Sequence, residues 1–534
     1  MTSDTTGNPD ETSGGPDQPS SRFIISHRMA PYRDGRARRS AKGNFNERLL
    51  RSLGGAMDIV SDNGTERDDV RRVLVIHADE EELLAKTRDL SPDTIVEREA
   101  LRWPASLRLV PWGSPTAETI CTAMNAASTA TTSQPVFTLT ITSAGSPLAN
   151  TLVELSLIPL SPQPGQPAGS SASATTDARG VATLPFDQAQ WYPVTAQISP
   201  HGCAWSGMLV HPASGGGIDL DSLPTSGPLG WWHQLAGISV FDPLAGAGIR
   251  VGVIDSGLGP HPYLSHVVAA GAFVDGGFQA GPQATADVLW HGTHVSGLIA
   301  ARPPVDGRDF AGLAPGADVF TARVFAPGRG ANQGDIAAAI DAMANAHEVD
   351  LINLSLGGDP SAIEYDAVLS AYSRGSLCIC AAGNNFGQPV LAPASYPLSV
   401  AVSAVTRPGT YPVSNLANFT RPQSTDRYGS GGLFLPTYSN FGKQVAVTAA
   451  GSAVISTIPG DEGEPAPYAD MSGTSMATPV TTGALAVMLS RDAIYKSLQR
   501  TSARAKYARA KLEGAALSIG LAQLYQGDGL SRAG

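Results

Sequence analysis

Residues 247–257 read AGIRVGVIDSG, an apolar run from Ile249 to Ile254 that ends on Asp255 and is followed by Ser256 and Gly257. A short apolar run without polar alternation reads as a strand buried on both faces. The segments after it alternate between such strands and helical stretches, which predicts an α/β domain with a mainly parallel sheet flanked by helices. Ligands of sheets of that kind bind outside the carboxyl ends of the strands. An acid at the end of this strand is therefore placed to orient another side chain, although Asp-Ser-Gly by itself also reads as a turn.

HGTHVSGLIAA, residues 291–301, starts 36 residues after Asp255. The apolar run from Val295 to Ile299 suits a buried helix, with His291 at its entrance and facing a cleft. His294, one turn further on, competes with it and reads as a packing residue. SGTSMATPVTTGALAVML, residues 472–489, comes 184 residues after His291, counted to Ser475. Gly473 permits a tight turn, Ser475 begins an apolar helix, and Pro479 reads as an early helix residue whose missing N–H is harmless. A nucleophile at a helix N-terminus lies at the positive end of the helix dipole, and its own N–H can hold an oxyanion. LCICAAGNN, residues 377–385, ends a strand on Asn384, whose amide suits a second oxyanion donor, with Asn385 as the alternative. SLGG, Ser355, Leu356, Gly357 and Gly358, offers Gly-lined backbone able to bind an extended substrate and to form one wall of a side-chain pocket.

GVIDSG, HGTHVSG, NLSLGG, AAGNN and GTSMATP occur in this order and resemble the signature blocks of the subtilisin-like serine peptidases. GLAPGADVFTARVF, SNFG at Ser439 to Gly442 and STIPG fit the same resemblance, which covers about residues 231–495. It implies a subtilisin-like fold and a serine endopeptidase in which Asp255 is the aspartate, His291 the general base, Ser475 the nucleophile and Asn384 the oxyanion asparagine. Two positions depart from the usual pattern: Ser296 stands where Ala is common after HGTHV, and Asn385 where Glu is common after AAGN. The chemistry is acyl transfer through an acyl-enzyme and needs no metal or other cofactor. Many members of that family hold structural calcium, but no Asp-rich loop of this sequence locates such a site. A scaffold without activity is the competing function; it would be marked by a broken triad, and the triad is complete.

The N-terminal half carries other patterns. Residues 1–60 read as a disordered, partly basic arm, with nine Arg or Lys against Asp34 and Glu47 over residues 22–51. Within residues 70–112, RVLVI, DEEELLAKTRDL and TIVEREALRW predict a strand, a helix and a strand in βαβ order, similar to the small inhibitory prodomain of subtilases. Residues 72–104 are accordingly expected to pack on the catalytic domain and restrain it, the acids at the helix start capping helix N-termini of the enzyme as well as their own. Residues 133–213 alternate in FTLTITS and TLVELSLIPL, continue through a Pro/Gly/Ser/Ala-rich loop at 161–175, and predict a β-sandwich. This stretch resembles carboxypeptidase-regulatory-like and invasin-like modules and is a candidate surface for a partner protein. SGGGIDLDSLPTSGP, residues 214–228, reads as a linker, and the peptidase domain is expected over 230–534.

The chain has 534 residues, enough for about three domains at roughly 100–200 residues each. A formal net charge of −11 argues against nucleic acid as a bulk partner. No apolar run approaches the length needed to span a membrane. The N-terminus lacks a basic start followed by an apolar stretch, and the four cysteines, Cys121, Cys203, Cys378 and Cys380, form no disulfide framework. These features lead to the expectation of a bacterial, cytoplasmic peptidase acting on protein or peptide, with a narrow processing role.

Overall fold

The computed structural model describes residues 21–29, 58–63, 70–88, 93–105, 136–162, 167–305, 307, 309–460 and 467–534. Residues 1–20, most of the basic arm and all of 106–135, which holds Cys121, the end of the 70–112 unit and the start of the 133–213 module, lie outside the described residues.

An eight-stranded sheet forms the larger part. Its strands are β14 (Arg250–Asp255), β15 (Val268–Val274), β16 (Gly277–Gln279), β17 (Asp318–Arg323), β19 (Leu351–Leu354), β21 (Leu377–Ala381), β22 (Val400–Val405) and β23 (Val445–Ala450). They are ordered β16-β15-β17-β14-β19-β21-β22-β23, and all neighbours are parallel except β15 with β16. The runs VGVID, LINL, LCICA and VAVSAV are buried throughout, because helices cover both faces of a parallel sheet. Helices α2 (His291–Ala300) and α5 (Thr474–Ser490) pack in one apolar cluster, and α3 (Gln333–Asp341) and α4 (Ala362–Ser373) in the other. Cys378 and Cys380 are buried on the second face with the α3 and α4 side chains.

The described residues between 21 and 105, called the leader below, are more ordered than the arm's charge suggests. Ser21–His27, assigned from sequence to the arm, is strand β1, and β2 is Asp58–Asp62. With β3 (Val73–Ala78) and β4 (Thr94–Arg98) they make a sheet ordered β2-β3-β1-β4. Its helix α1 spans Glu80–Thr87 and is capped by Asp79. The expected strand, helix, strand order is present, but β1 lies between β3 and β4 and is antiparallel to both. Period-2 alternation gives β1 two apolar faces: Phe23 and Ile25 cluster with Leu83 of α1, and Ile24 joins the cluster of α3 and α4. A Cβ on Gly334 of α3 would meet Val73 and Ile24 at 2.7 and 2.8 Å, so the leader sheet seats directly on that helix.

Charged groups complete this contact. Arg71 is wholly buried, its Nε 2.6 Å from Asp341 Oδ2 and its Nη1 3.3 Å from Asp366 Oδ2. Arg102 Nε lies 2.9 Å from Glu364 Oε1, with both side chains fully buried. The helix N-terminus capped from the leader is that of α4: Ser361 Oγ donates to Glu97 at 2.7 Å, and the Ala362 N–H donates to the same carboxylate. The acids of α1 instead pair within the leader, Glu80 with Arg98 and Glu82 with Lys86. Capping of a helix in the larger part thus falls to β4 rather than to α1.

TIVEREALRW does not stay one strand. It breaks at Glu99 and Ala100, and β5 (Leu101–Pro104) leaves the leader sheet. β5 runs antiparallel between β18 (Ala331–Asn332) and β20 (Leu356–Gly357) of the larger part.

In chain order two small sheets come between the leader and the large sheet. One contains β6 (Phe137–Ser143), β7 (Ser146–Pro147), β10 (Val181–Leu184) and β13 (Gly216–Leu220). The other contains β8 (Leu152–Pro159), β9 (Ser170–Thr175), β11 (Trp191–Ser199) and β12 (Gly207–Val210), ordered β12-β11-β8-β9. Phe137, Leu139 and Ile141 of the first and Val153, Leu155, Leu157, Ala196 and Ile198 of the second share one core. Two sequence assignments change here. Ser170–Thr175, read as loop, pairs with β8, and Gly216–Leu220, read as linker, pairs parallel with β6. Their Gly and Ser composition hides them, since their pairing comes from distant strands.

Among the described residues no helix is long and apolar enough to cross a membrane.

Candidate active site

The site lies at the carboxyl ends of the central strands. Ile254 of β14 is in register with Leu354 of β19, so Asp255 and Ser355 leave adjacent strand ends together. Strands in one sheet lie about 5 Å apart, so side chains leaving two neighbouring ends reach a common cleft.

Asp255 Oδ1 lies 2.7 Å from His291 Nδ1 and also accepts the Ser256 N–H at 2.7 Å. Both Asp255 and His291 are buried. The approach of their segments depends on glycine: a Cβ on Gly292 would sit 2.2 Å from the Gly257 carbonyl oxygen, and Gly257 itself has φ +119°. A second carboxylate, Asp287, ties the two segments. It accepts Ser256 Oγ at 2.7 Å, Leu289 N at 3.0 Å, Thr293 N at 2.8 Å and Thr293 Oγ1 at 2.6 Å. Ser256 Oγ in turn accepts the Gly292 N–H at 2.8 Å. Burial pushes the Asp287 carboxyl up, and the four donors pull it back. Sequence reading passed over Asp287; its one signal was an acid four residues before His291.

His294 is turned the other way. Its Nε2 lies 3.1 Å from both Val454 O, on β24 (Val454–Thr457), and Ala469 O, on β25 (Tyr468–Met471). Burial, with His291 nearby, lowers its pKa to about 3, so the ring is neutral and donates to these carbonyls. It packs α2 onto the β24–β25 hairpin.

Ser475 is the second residue of α5 and buried. Pro479 is the sixth residue of that helix, later than the harmless position expected from sequence. Its missing N–H would have bonded to the carbonyl of Ser475, and Ser355 Oγ donates to that carbonyl instead, at 2.9 Å. The Ser475 hydroxyl donates back to the Ser355 carbonyl at 2.9 Å, while His291 Nε2 has no hydrogen-bond partner among the described residues.

Asn384 follows β21. Its Oδ1 accepts Thr474 N at 3.0 Å and Thr474 Oγ1 at 2.9 Å. Two donors on one atom fix the amide orientation, so Nδ2 faces the cleft. There it donates to the carbonyl oxygen of Ala105. Asn385 points elsewhere: its N–H donates to Asn440 Oδ1 at 2.8 Å, and its side-chain oxygen accepts from Asn440.

The cleft is thus occupied by the chain itself. Trp103 and Pro104 of β5 pair with Gly357 and Leu356, and the Ala105 N–H donates to Ser355 O at 3.0 Å. Gly358 turns to pair with Ala392. The Ala105 carbonyl oxygen accepts the Ser475 N–H at 3.0 Å as well as the Asn384 amide. This is the arrangement of an extended peptide bound by main-chain pairing, with one carbonyl held by two donors beside a serine. Among the described residues no group of three or more His, Cys, Asp or Glu side chains is arranged to hold a metal ion.

A model of the subtilase family matches residues 246–528. The chain is 35% identical over 292 residues to subtilisin BL of Lederbergia lenta, spanning 54% of this chain and 91% of that relative. It is 33% identical over 291 residues to subtilisin Savinase of the same organism, again covering 54% and 91%. Over 260 residues it is 33% identical to the minor extracellular protease Epr of Bacillus subtilis, covering 48% of this chain and 34% of that one.

Proposed function

The chain belongs to the subtilase family of serine endopeptidases, and from that premise we propose that Asp255, His291 and Ser475 are its triad, that Asn384 and the Ser475 N–H form its oxyanion hole, and that its first substrate is its own Ala105–Ser106 bond. One observation carries the last point. The Ala105 carbonyl accepts hydrogen bonds from both oxyanion donors while β5 is paired on either side.

In this reading Ser475 Oγ leaves the Ser355 carbonyl, gives its proton to His291 Nε2 and bonds to the Ala105 carbonyl carbon. Asp255 holds the imidazole by Nδ1 and stabilises its cation. The developing oxyanion stays on Asn384 and the Ser475 N–H. His291 then protonates the departing Ser106 nitrogen as the C–N bond breaks, and water releases Ala105 as a new carboxylate. Ser355, Leu356, Gly357 and Gly358 supply the backbone edge along which any extended substrate pairs. We read residues 21–105 as an inhibitory leader, 136–220 as a β-sandwich module and the chain from Trp231 as the peptidase domain. Docked by β5 and by Arg71 and Arg102, the leader excludes other substrates until it is removed.

The test is to compare the parent chain with Ser475→Ala. The parent should yield a new N-terminus at Ser106, react with a fluorophosphonate probe and then cleave unstructured protein. Ser475→Ala should remain one chain and take up no probe. Cutting elsewhere alone, or probe uptake that survives the substitution, would overturn the reading.

A cytoplasmic location and a narrow processing role are part of the proposal. The location is supported by Cys203, Cys378 and Cys380, which among the described residues are free thiols, and the narrow role follows from that location, where a broad peptidase would damage its own cell. Cell fractionation with thiol labelling tests the location, and a proteome-wide cleavage profile tests the breadth of substrate choice.

A further inference from the structure

Residues 200–206, between β11 and β12, touch both chain segments that carry the proposed base and nucleophile. The His201 ring lies against Trp290, with centroids 4.4 Å apart and planes at 59°. Trp290 immediately precedes His291. Its backbone is left-handed, φ 62°, and its carbonyl accepts the His294 N–H at 3.2 Å, at the start of α2. A bulky residue rarely adopts that backbone unless its surroundings hold it there. The ring contact from His201 comes from a different part of the chain.

The second link is to the serine segment. Asp470 of β25, five residues before Ser475, is buried. It accepts Ser206 N at 2.7 Å, Ser206 Oγ at 2.7 Å and Asn415 Nδ2 at 2.8 Å. Asn415 closes the ring by donating to the Ser206 carbonyl at 3.0 Å. Gly202, at φ +105°, makes the bend that lets His201 and Ser206 reach separate targets. Trp205 and Met208 lie in the same buried apolar cluster as α2 and α5, so this edge of the module is built into the peptidase core.

We propose that the β-rich module is a positioning element of the active site: His201 on Trp290 and Ser206 on Asp470 hold the His291 and Ser475 segments in register, and turnover depends on both links. The inference rests on the roles given to His291 and Ser475 above. Proton transfer needs the imidazole nitrogen and the serine oxygen within hydrogen-bond reach. The module lies C-terminal to Ala105, so cleavage there leaves both links in place. The leader regulates access to the cleft; the module acts on the geometry of the residues that line it.

The experiment starts from the full-length chain, lets its own processing run to completion, and uses a chromogenic peptide anilide as substrate. His201→Ala should lower kcat about tenfold with KM changed less than twofold, since a displacement of about 1 Å can cost as much as about 10²-fold. His201→Phe, which keeps a ring against Trp290, should recover most of the loss. Ser206→Ala should also lower kcat. His201→Ala combined with Trp290→Ala should be less damaging than the two separate losses multiplied, because the pair acts as one unit. Parent values of kcat and KM in His201→Ala would overturn the proposal. So would a loss matched by a fall in the fraction of folded protein and not recovered by Phe. A parent whose hydrolysis survives Ser475→Ala would instead remove the catalytic assignment itself, which separates the two failures.

Discussion

The carbonyl oxygen of Ala105 lies 3.0 Å from the backbone nitrogen of Ser475, although 370 positions separate them in the sequence. That contact exists because β5 completes a three-stranded ribbon with β18 and β20, and Ala105 is the next residue along. The Ala105 N–H contributes its own bond to Ser355 O at 3.0 Å. Ala105→Pro removes this donor. The lost bond is worth about 1 kcal/mol, or about fivefold in rate, and the proline ring also crowds the Ser355 carbonyl, so processing should slow by at least about fivefold. A time course of full-length chain followed by electrophoresis checks this, and an unchanged rate would show that the bond is not used in the reaction.

Asn384→Ala should lower kcat by about 10²–10³ with little change in KM, the size found for an oxyanion-hole asparagine of subtilisin, a member of the same family. Thr474 holds the Asn384 amide by two donors, so the effect belongs to one oriented group. Asn385→Ala should leave kcat near the parent value. Steady-state kinetics on a peptide anilide distinguish the two, and a reversed order would reassign the donor.

Arg102 and Glu364 are both fully buried, one in the leader and one in α4. Removing one partner strands the other charge. In a Ser475→Ala background, which keeps the chain whole, Arg102→Ala should destabilise by about 3–5 kcal/mol, whereas replacing both residues with apolar side chains of similar size should be close to neutral. Urea unfolding measures both. Equal effects of the single and double replacements would mean that the pair acts only through its volume.

His294 is buried with its pKa lowered to about 3, against 6.5 for a free histidine. Below pH 6.5 the unfolded chain takes up a proton that the folded chain refuses. Stability from this group is therefore fully present above pH 6.5 and is lost as the pH falls toward the folded value. The slope is roughly 1.4 kcal/mol per pH unit for one proton. His294→Gln keeps a donor for the Val454 and Ala469 carbonyls and cannot be protonated. In the Ser475→Ala background, the stability of the histidine chain relative to the glutamine chain should fall between pH 6.5 and 4. A pH-independent difference would show that the ring is already charged or accessible.

Much of the peptidase half was legible because its information is local. Asp255, His291, Asn384 and Ser475 each sit at a strand end or a helix start, and each boundary is marked by an apolar run beside Gly or Ser. Asp287 was missed because its partners, Ser256 and Thr293, are hydroxyls with no pattern of their own. Pro479 was read for its effect on a helix, whereas its consequence is the bond from Ser355 Oγ to the Ser475 carbonyl. The strands Ser170–Thr175 and Gly216–Leu220 were hidden by loop-like composition, because their partners β8 and β6 supply the hydrogen bonds.

By itself the sequence determined the peptidase family, the parallel α/β sheet and the residue types able to perform acyl transfer, since periodic burial and end-of-strand position follow from near neighbours in the chain. Only the tertiary structure decided that residues 101–105 lie in the cleft, that Arg71 and Arg102 fasten the leader to α3 and α4, and that His201 and Ser206 reach the segments of His291 and Ser475. Those contacts join residues 89 to 370 positions apart. Backbone pairing and buried charges specify such contacts by geometry in space, and hydrophobic periodicity along the chain carries no record of it.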